Sequence, residues 1–231
     1  MRDAISRFLK SLPQPVEFVL VVCIAFGLPV LSSLSSVAHP HPGPHHTNAT
    51  LLALIGYELA VLALVASFLR AREWSLQSIG LSVSGRDTAI GIALFAVFYF
   101  VYAALFNILA TFAPQVVELA QRTQAVGPDI GWSSILAVTI VNPVFEETLV
   151  AGYVVSALKE RHSIWFCTNV SVAIRLLYHL YLGPLGVISA IPLGLILAQW
   201  FARTGRLWPL IVAHAIGDFI PLLVISGLLR T

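Results

Sequence analysis

Six ionisable side chains lie inside long apolar stretches in the second half of this sequence. A charge held in hydrocarbon without a partner is energetically costly, so ionisable residues within a membrane-spanning segment mark a functional site by default. The six are Glu146, Glu147, Arg175, His179, His214 and Asp218. Carboxylates and imidazoles supply general bases, metal ligands and hydrogen-bonding groups, so their spacing decides which chemistry they can perform.

Two pairs of these residues are separated by four positions. His214 and Asp218 form one pair, and Arg175 and His179 form the other. Residues i and i+4 share one face of a helix. The members of each pair can therefore hydrogen-bond to each other or converge on a single point.

The two adjacent glutamates require different surroundings. Neighbouring residues on a helix point about 100° apart, so one of Glu146 and Glu147 can face a cavity while the other turns to a structural partner. Asn142 lies four residues before Glu146, on the same face. Pro143 between them removes a backbone hydrogen bond and is expected to kink the helix.

Hydrolysis is one chemistry that suits this set. A carboxylate beside neutral imidazoles, in a cavity that admits water, can take a proton from that water and make it a nucleophile. The second histidine and Asp218 are then suited to stabilise the oxyanion of a tetrahedral intermediate.

Two other chemistries stay open on the residues alone. Glu146, His179 and His214 form a set of the kind that binds catalytic zinc and leaves a fourth position for water. Transporters also line their cavities with such groups. The cofactor is therefore open between none and a divalent metal such as Zn.

The composition places the chain in the membrane. Of its 231 residues, 58% are hydrophobic and only 10% are charged, whereas soluble domains carry about 25% charged residues. The net charge of +2 gives no reason to expect a nucleic-acid partner. No internal repeat or separate soluble domain is evident, so residues 1–231 are predicted to form one membrane-embedded domain.

Seven apolar windows are long enough to span a bilayer, which takes roughly 20 residues of helix. They predict an all-α, polytopic transmembrane helical bundle of about seven spans. The second window also contains Glu58, an acid with no evident partner in the sequence. The windows are 16–37, 51–69, 88–113, 132–157, 164–182, 185–202 and 207–229.

Basic residues occur in alternate connectors between these windows. The connector 38–50 carries no basic residue, and the connector 114–131 carries only Arg122. Under the positive-inside rule this pattern predicts a cytoplasmic N-terminus, in a multi-pass protein of the plasma (inner) membrane. The basic connector residues are Arg2, Arg7, Lys10, Arg70, Arg72, Arg86, Lys159, Arg161, Arg203 and Arg206.

The depth of His179 leads to a prediction about its helix. At 1.5 Å per residue, His179 lies about 27 Å from Arg161, too far out to meet Glu146. The depths agree if the fifth helix begins late, near Thr168, with Trp165 and Phe166 at the membrane interface.

The order of these residues resembles the CAAX protease and bacteriocin-processing family (CPBP, also called Abi), which includes the Rce1-type endopeptidases. That family's pattern is EExxxR, then FxxxH, then HxxxN or HxxxD, on separate spans. Here the pattern is met by Glu146-Glu147, His179 and His214-x-x-x-Asp218. The resemblance covers about residues 70–220, and the segment WSLQSIGL at 74–81 also resembles a loop of the family.

The resemblance implies a role for each matched residue. Glu146 corresponds to the glutamate that activates water together with His179. His214 and Asp218 correspond to the residues that position water and stabilise the oxyanion. Glu147 corresponds to the second, more structural glutamate, which is held by the arginine of the motif. The metal-free form of the reaction is expected, because no carboxylate supporting His179 is evident in the sequence.

Two positions depart from the family pattern. The arginine of EExxxR falls at Ala151, and the phenylalanine of FxxxH falls at Arg175. One interpretation is lost activity. The other is a swap, in which Arg175 on the neighbouring helix supplies the missing cation and pairs with Glu147. The swap also explains an arginine in mid-span, where it needs a partner.

Together these features predict an intramembrane endopeptidase that acts in contact with membrane lipids on a membrane-anchored protein or peptide. A prenylated tail, a leader peptide and a sorting signal are equally open as substrates. The catalytic set is Glu146, His179, His214 and Asp218, supported by Glu147, Arg175 and Asn142. The alternative, favoured by Ala151, is a non-catalytic binding, immunity or carrier protein that retains the polar cavity.

Overall fold

The computed structural model describes residues 8–39, 46–123 and 130–226. About 85% of the structure is helical and no strand is present in these ranges, which confirms the all-α prediction. Arg2 and Arg7 of the topology prediction lie outside the described residues. The helices are α1 (Gln14–Ala38), α2 (Asn48–Ala71), α3 (Gly85–Phe112), α4 (Pro114–Thr123), α5 (Trp132–Glu146), α6 (Val154–Leu158), α7 (Ile164–His179), α8 (Gly183–Thr204) and α9 (Trp208–Ile225).

Six helical segments in the described ranges are long and apolar enough to cross a membrane, by length and composition. They make the chain a multi-pass membrane protein. The fifth segment, Ile164–Thr204, contains both α7 and α8 and so accounts for two of the seven predicted windows. The two helices fold back on each other, since a Cβ added at Gly194 of α8 would lie 3.1 Å from Val172 and 3.3 Å from Arg175 of α7. Windows five and six are therefore the arms of one helical hairpin.

The predicted late start of the helix that carries His179 is wrong. Helix α7 begins at Ile164, because the hydroxyl of Ser163 accepts a hydrogen bond from the backbone N–H of Phe166 and caps the helix. A serine cap satisfies one of the free N–H groups of the first turn. Trp165 and Phe166 are largely exposed and lie within this first turn.

The helix that carries the two glutamates lies at the centre of the bundle. In an 18-residue window of the span Trp132–Leu158, 61% of the residues are buried, against 17–33% in the corresponding windows of the other five spans. One side packs on α1 and α2 through residues such as Phe145 and Leu149. The other side packs on α3, α8 and α9 through Ala151 and Val155. Protein therefore surrounds the two glutamates, and lipid faces the outer helices.

A π-helical turn interrupts this central helix. Helix α5 runs through Pro143 and is followed by the π-helical segment Glu147–Tyr153, after which α6 resumes α-helical geometry. Wide turns of this kind inside an α-helix are frequently found at functional sites. The turn starts at Glu147, so it sets the direction of this side chain relative to Glu146.

Contacts near the start of α1 gather three elements at one end of the bundle. The guanidinium of Arg72 lies 2.6 Å from the carboxylate of Glu17. The amide of Gln14 donates to the carbonyl oxygen of Ala157 at 2.6 Å. The beginning of α1, the end of α2 and the end of α6 therefore share this end.

The connection between α8 and α9 lies at the same end. The backbone N–H of Leu207 donates to the carbonyl of Gly80 at 2.9 Å, and Arg206 pairs with Asp87 at the start of α3. Gly80 has a φ of +70°, and a Cβ there would lie 1.9 Å from the carbonyl oxygen of Gly205. Only glycine allows this close approach of the 74–81 loop.

Candidate functional site

Arg175 of α7 lies between the two adjacent glutamates. Its Nη2 donates to Oε1 of Glu147 at 2.6 Å, and its Nη1 donates to Oε2 of Glu146 at 3.0 Å. The three residues are 1%, 0% and 5% exposed, respectively. A buried cation between two carboxylates offsets their mutual repulsion, and this offset explains how both acids are accommodated inside the bundle.

The pairing of Arg175 with Glu147 is the contact that the swap hypothesis requires. Ala151, at the position of the motif arginine, is 1% exposed and belongs to the hydrophobic core. The cation that binds Glu147 belongs to α7. Arg175 also contacts Glu146, which the sequence did not predict.

His214 of α9 completes the cluster. Its Nδ1 lies 2.6 Å from Oε1 of Glu147, a hydrogen bond in which an ionised carboxylate can only accept. The opposite nitrogen, Nε2, lies 3.5 Å from Oδ1 of Asp218 and 4.0 Å from Oε2 of Glu146. Glu147 and Asp218 therefore hold the two ends of the imidazole, and the i, i+4 spacing of His214 and Asp218 brings them together as predicted.

Glu146 has two further partners. The hydroxyl of Tyr178 donates to its Oε2 at 2.7 Å, and the amide of Asn142 donates to its Oε1 at 3.2 Å. The same amide donates to Oε1 of Glu58 at 2.6 Å. Tyr178 and Glu58 were not assigned to the site from sequence. An acid in mid-span was a signal for Glu58, whereas nothing distinguished Tyr178 from a packing residue.

His179 lies beside this network and is half-buried. Its Nδ1 is 2.9 Å from the carbonyl oxygen of Arg175, and its ring stands 4.6 Å from the ring of Tyr178. The bond to the Arg175 carbonyl fixes the ring and leaves Nε2 as the nitrogen available to a substrate or to water.

The predicted metal ligands are not the ones that the fold groups most closely. Within the described part of the chain, the candidate metal-binding group is Glu146, Glu147 and His214, whose donor atoms lie within 4.8 Å of one another, and His179 is not part of it. Arg175 donates to an oxygen of each glutamate in this group. Its positive charge repels a divalent cation at that place. The residues present therefore do not fit a metal.

Among the described residues, two buried carboxylate oxygens of the site have no hydrogen-bond partner, Oε2 of Glu147 and Oε2 of Glu58. Buried polar atoms are nearly always hydrogen-bonded. Such acceptors give the site the polar character that water requires.

The part of the chain that contains the predicted site residues is similar to a known protein family. Residues 128–220 match the family model described as type II CAAX prenyl endopeptidase Rce1-like. This segment is Rce1-like. The match includes all seven residues predicted for the site and covers about two fifths of the chain. The resemblance to the CPBP and Rce1-type proteins is thereby confirmed, while residues 70–127 of the predicted protease-like core lie outside the match.

No curated protein and no solved structure matches the chain.

Proposed function

We propose that this protein is an intramembrane endopeptidase that cleaves a membrane-anchored protein or peptide by activating water. The observation that carries the proposal is the convergence of Glu146, Glu147 and His214 around Arg175, within the segment that is Rce1-like. The description of the matched family points to prenylated proteins as substrates, and a leader peptide and a sorting signal are the other two candidate substrates. The plasma (inner) membrane is the proposed location.

Glu146 is the proposed general base. Its Oε2 accepts from Arg175 and Tyr178, so that oxygen is occupied. Its Oε1 accepts from Asn142 at the longer distance of 3.2 Å and keeps a lone pair for the proton of a water molecule. The hydroxide formed attacks the carbonyl carbon of the scissile peptide. Glu146 then returns the proton to the leaving nitrogen as the C–N bond breaks.

We propose that the two histidines bind the oxygen atoms of the attacking water and of the tetrahedral intermediate. Glu147 accepts from Nδ1 of His214 and orients the ring, so that Nε2, which lies 3.5 Å from Asp218, is the nitrogen that donates to the developing oxyanion. Nδ1 of His179 bonds to the Arg175 carbonyl, so Nε2 of His179 is the nitrogen that binds the attacking water. Donors fixed in advance of the reaction stabilise the transition state without reorganisation.

The test compares purified wild-type protein with Glu146→Gln on three fluorogenic peptides in lipid vesicles: a prenylated C-terminal peptide, a leader peptide and a sorting-signal peptide. Loss of the general base should lower kcat by about 100-fold or more. Glu73→Gln is the matched control, because Glu73 is an exposed glutamate far along the chain from the site. Equal turnover by wild type and Glu146→Gln on a cleaved peptide would remove the assignment.

One observation favours the non-catalytic alternative of a binding, immunity or carrier protein. Arg175 donates to the proposed base as well as to Glu147, and so holds the Glu146 carboxylate in a buried ion pair that a structural role would explain equally well. Absence of turnover by the folded wild type on all three peptides would support this second function.

A further inference from the structure

Glu58 is a buried acid that the proposed reaction leaves unused. It lies in α2, outside the Rce1-like segment 128–220, and is 1% exposed. Placing an acid in mid-span is costly, and such residues face the interior of a bundle. Helix α2 packs against α5, so Glu58 reaches the site from a helix that the family motif does not include.

Asn142 connects Glu58 to the proposed general base. Its Nδ2 lies 2.6 Å from Oε1 of Glu58 and 3.2 Å from Oε1 of Glu146. A primary amide has two N–H groups, so it donates one to each carboxylate. The opposite orientation of the amide would place its carbonyl oxygen against Oε1 of Glu146, which as an ionised general base accepts only. The two acids therefore determine which way the Asn142 side chain points.

Glu58 is connected to the site by geometry. Asn142 joins it to Glu146, and Glu146 in turn binds Arg175 and Tyr178. Glu58 therefore faces the same polar region as the site residues of the Rce1-like segment.

We propose that Glu58 is a positioning residue, which holds the Asn142 amide so that its second N–H is directed at Oε1 of Glu146. This proposal rests on the proposed function of Glu146 as the general base. Glu58 does not touch the reacting atoms and acts through Asn142. With Glu58 replaced by an apolar residue, the amide loses its stronger acceptor and is free to turn away from Glu146.

The first test is kinetic and uses the full-length protein in lipid vesicles with whichever peptide the wild type cleaves. Glu58→Leu should lower kcat by about tenfold or more, the scale of a lost hydrogen bond to a charged group, with KM little changed. Glu58→Gln keeps an acceptor for Asn142 and should restore most of kcat. Ser67→Ala, a polar exposed position on the same helix, is the matched control and should leave kcat unchanged.

Asn142→Leu distinguishes positioning from a general loss of stability. If Glu58 acts through Asn142, then Glu58→Leu should lower kcat less than twofold further in the Asn142→Leu background. Independent, multiplying effects would overturn the proposal. So would a Glu58→Leu variant that unfolds at lower temperature with unchanged kcat, because that result assigns Glu58 to helix packing alone.

A second test does not depend on turnover. A hydrophobic carbodiimide labels carboxyl groups inside membrane proteins, and peptide mass spectrometry reports its rate at Glu146. Glu58→Leu should raise the labelling of Glu146 several-fold, because Oε1 loses a fixed donor, while Glu58→Gln should not. Unchanged labelling in Glu58→Leu would overturn the positioning role. If the wild type cleaves no peptide, the proposed function fails, while this labelling still tests whether Glu58 acts on Glu146 through Asn142.

Discussion

Arg175 is the residue on which the electrostatics of the site depend. It is fully buried, and it binds two carboxylates that would otherwise face each other in a low-dielectric interior. The family pattern has an apolar residue here and an arginine four positions after Glu147, at Ala151. In this structure the cation that binds Glu147 comes from α7, at 2.6 Å, which is the arrangement that the swap hypothesis requires.

Arg175→Phe should therefore destabilise the protein by about 3–5 kcal/mol, the cost of removing one partner from a buried ion pair. The measurement is the free energy of unfolding in mild detergent, together with peptidase activity. Arg203→Ala, which removes an exposed arginine, should have little effect.

The double variant Arg175→Phe with Ala151→Arg tests the swap directly. It restores the family arrangement, and both stability and activity should recover relative to Arg175→Phe alone. A double variant no better than the single one would contradict the swap.

At the scale of secondary structure, Glu17 links three elements at the end of the bundle where the basic loops lie. Its carboxylate accepts from Arg72 at 2.6 Å, from the indole of Trp74 at 3.1 Å and from the hydroxyl of Tyr153 at 3.1 Å. Tyr153 is the last residue of the π-helical segment that begins at Glu147. Glu17 therefore anchors the far end of the turn that orients the site.

Glu17→Leu should lower the free energy of unfolding by about 3 kcal/mol, because it removes the buried carboxylate that pairs with the partly buried Arg72. Tyr153→Phe removes one hydrogen bond and should cost about 1 kcal/mol. Thermal unfolding in detergent measures both. Lys10→Ala is the control, since its ion pair with Glu73 is exposed and solvent screens it. A Glu17→Leu loss no larger than that of Lys10→Ala would show that Glu17 is not an anchor.

The whole molecule places its basic connectors at one end. Lys10 pairs with Glu73, Arg72 with Glu17 and Arg206 with Asp87, and Leu207 bonds to the 74–81 loop through Gly80. The alternation of charge in the sequence and the packing of the helices thus agree on which connectors lie on the same side of the membrane. The positive-inside rule predicts that this side is cytoplasmic.

Single cysteines labelled with a membrane-impermeant maleimide test this orientation, after Cys23 and Cys167 are replaced by alanine. Lys159→Cys and Arg203→Cys should be labelled only in permeabilised cells. Thr47→Cys, at the start of α2, should be labelled in intact cells. The reverse pattern would show that the N-terminus lies outside.

The sequence by itself determined the features that depend on local composition and spacing. Apolar length identified the spans, because hydropathy acts residue by residue. The four-residue spacing of His214 and Asp218 predicted their contact, because helix geometry is fixed. The same reasoning placed Asn142 beside Glu146, where its amide now donates to Oε1.

Only the tertiary structure decided which helices bring their polar groups together. Glu58 and Asn142 are 84 residues apart, and no periodicity relates positions on different helices. Arg175 binds both glutamates rather than Glu147 alone. In the closest group of potential metal ligands, Glu147 takes the place that the sequence predicted for His179. Helix α7 starts directly after its serine cap, and not near Thr168, where the depth of His179 in the membrane predicted its start. Packing sets these contacts because each helix can rotate and shift along its axis until its neighbours fix it.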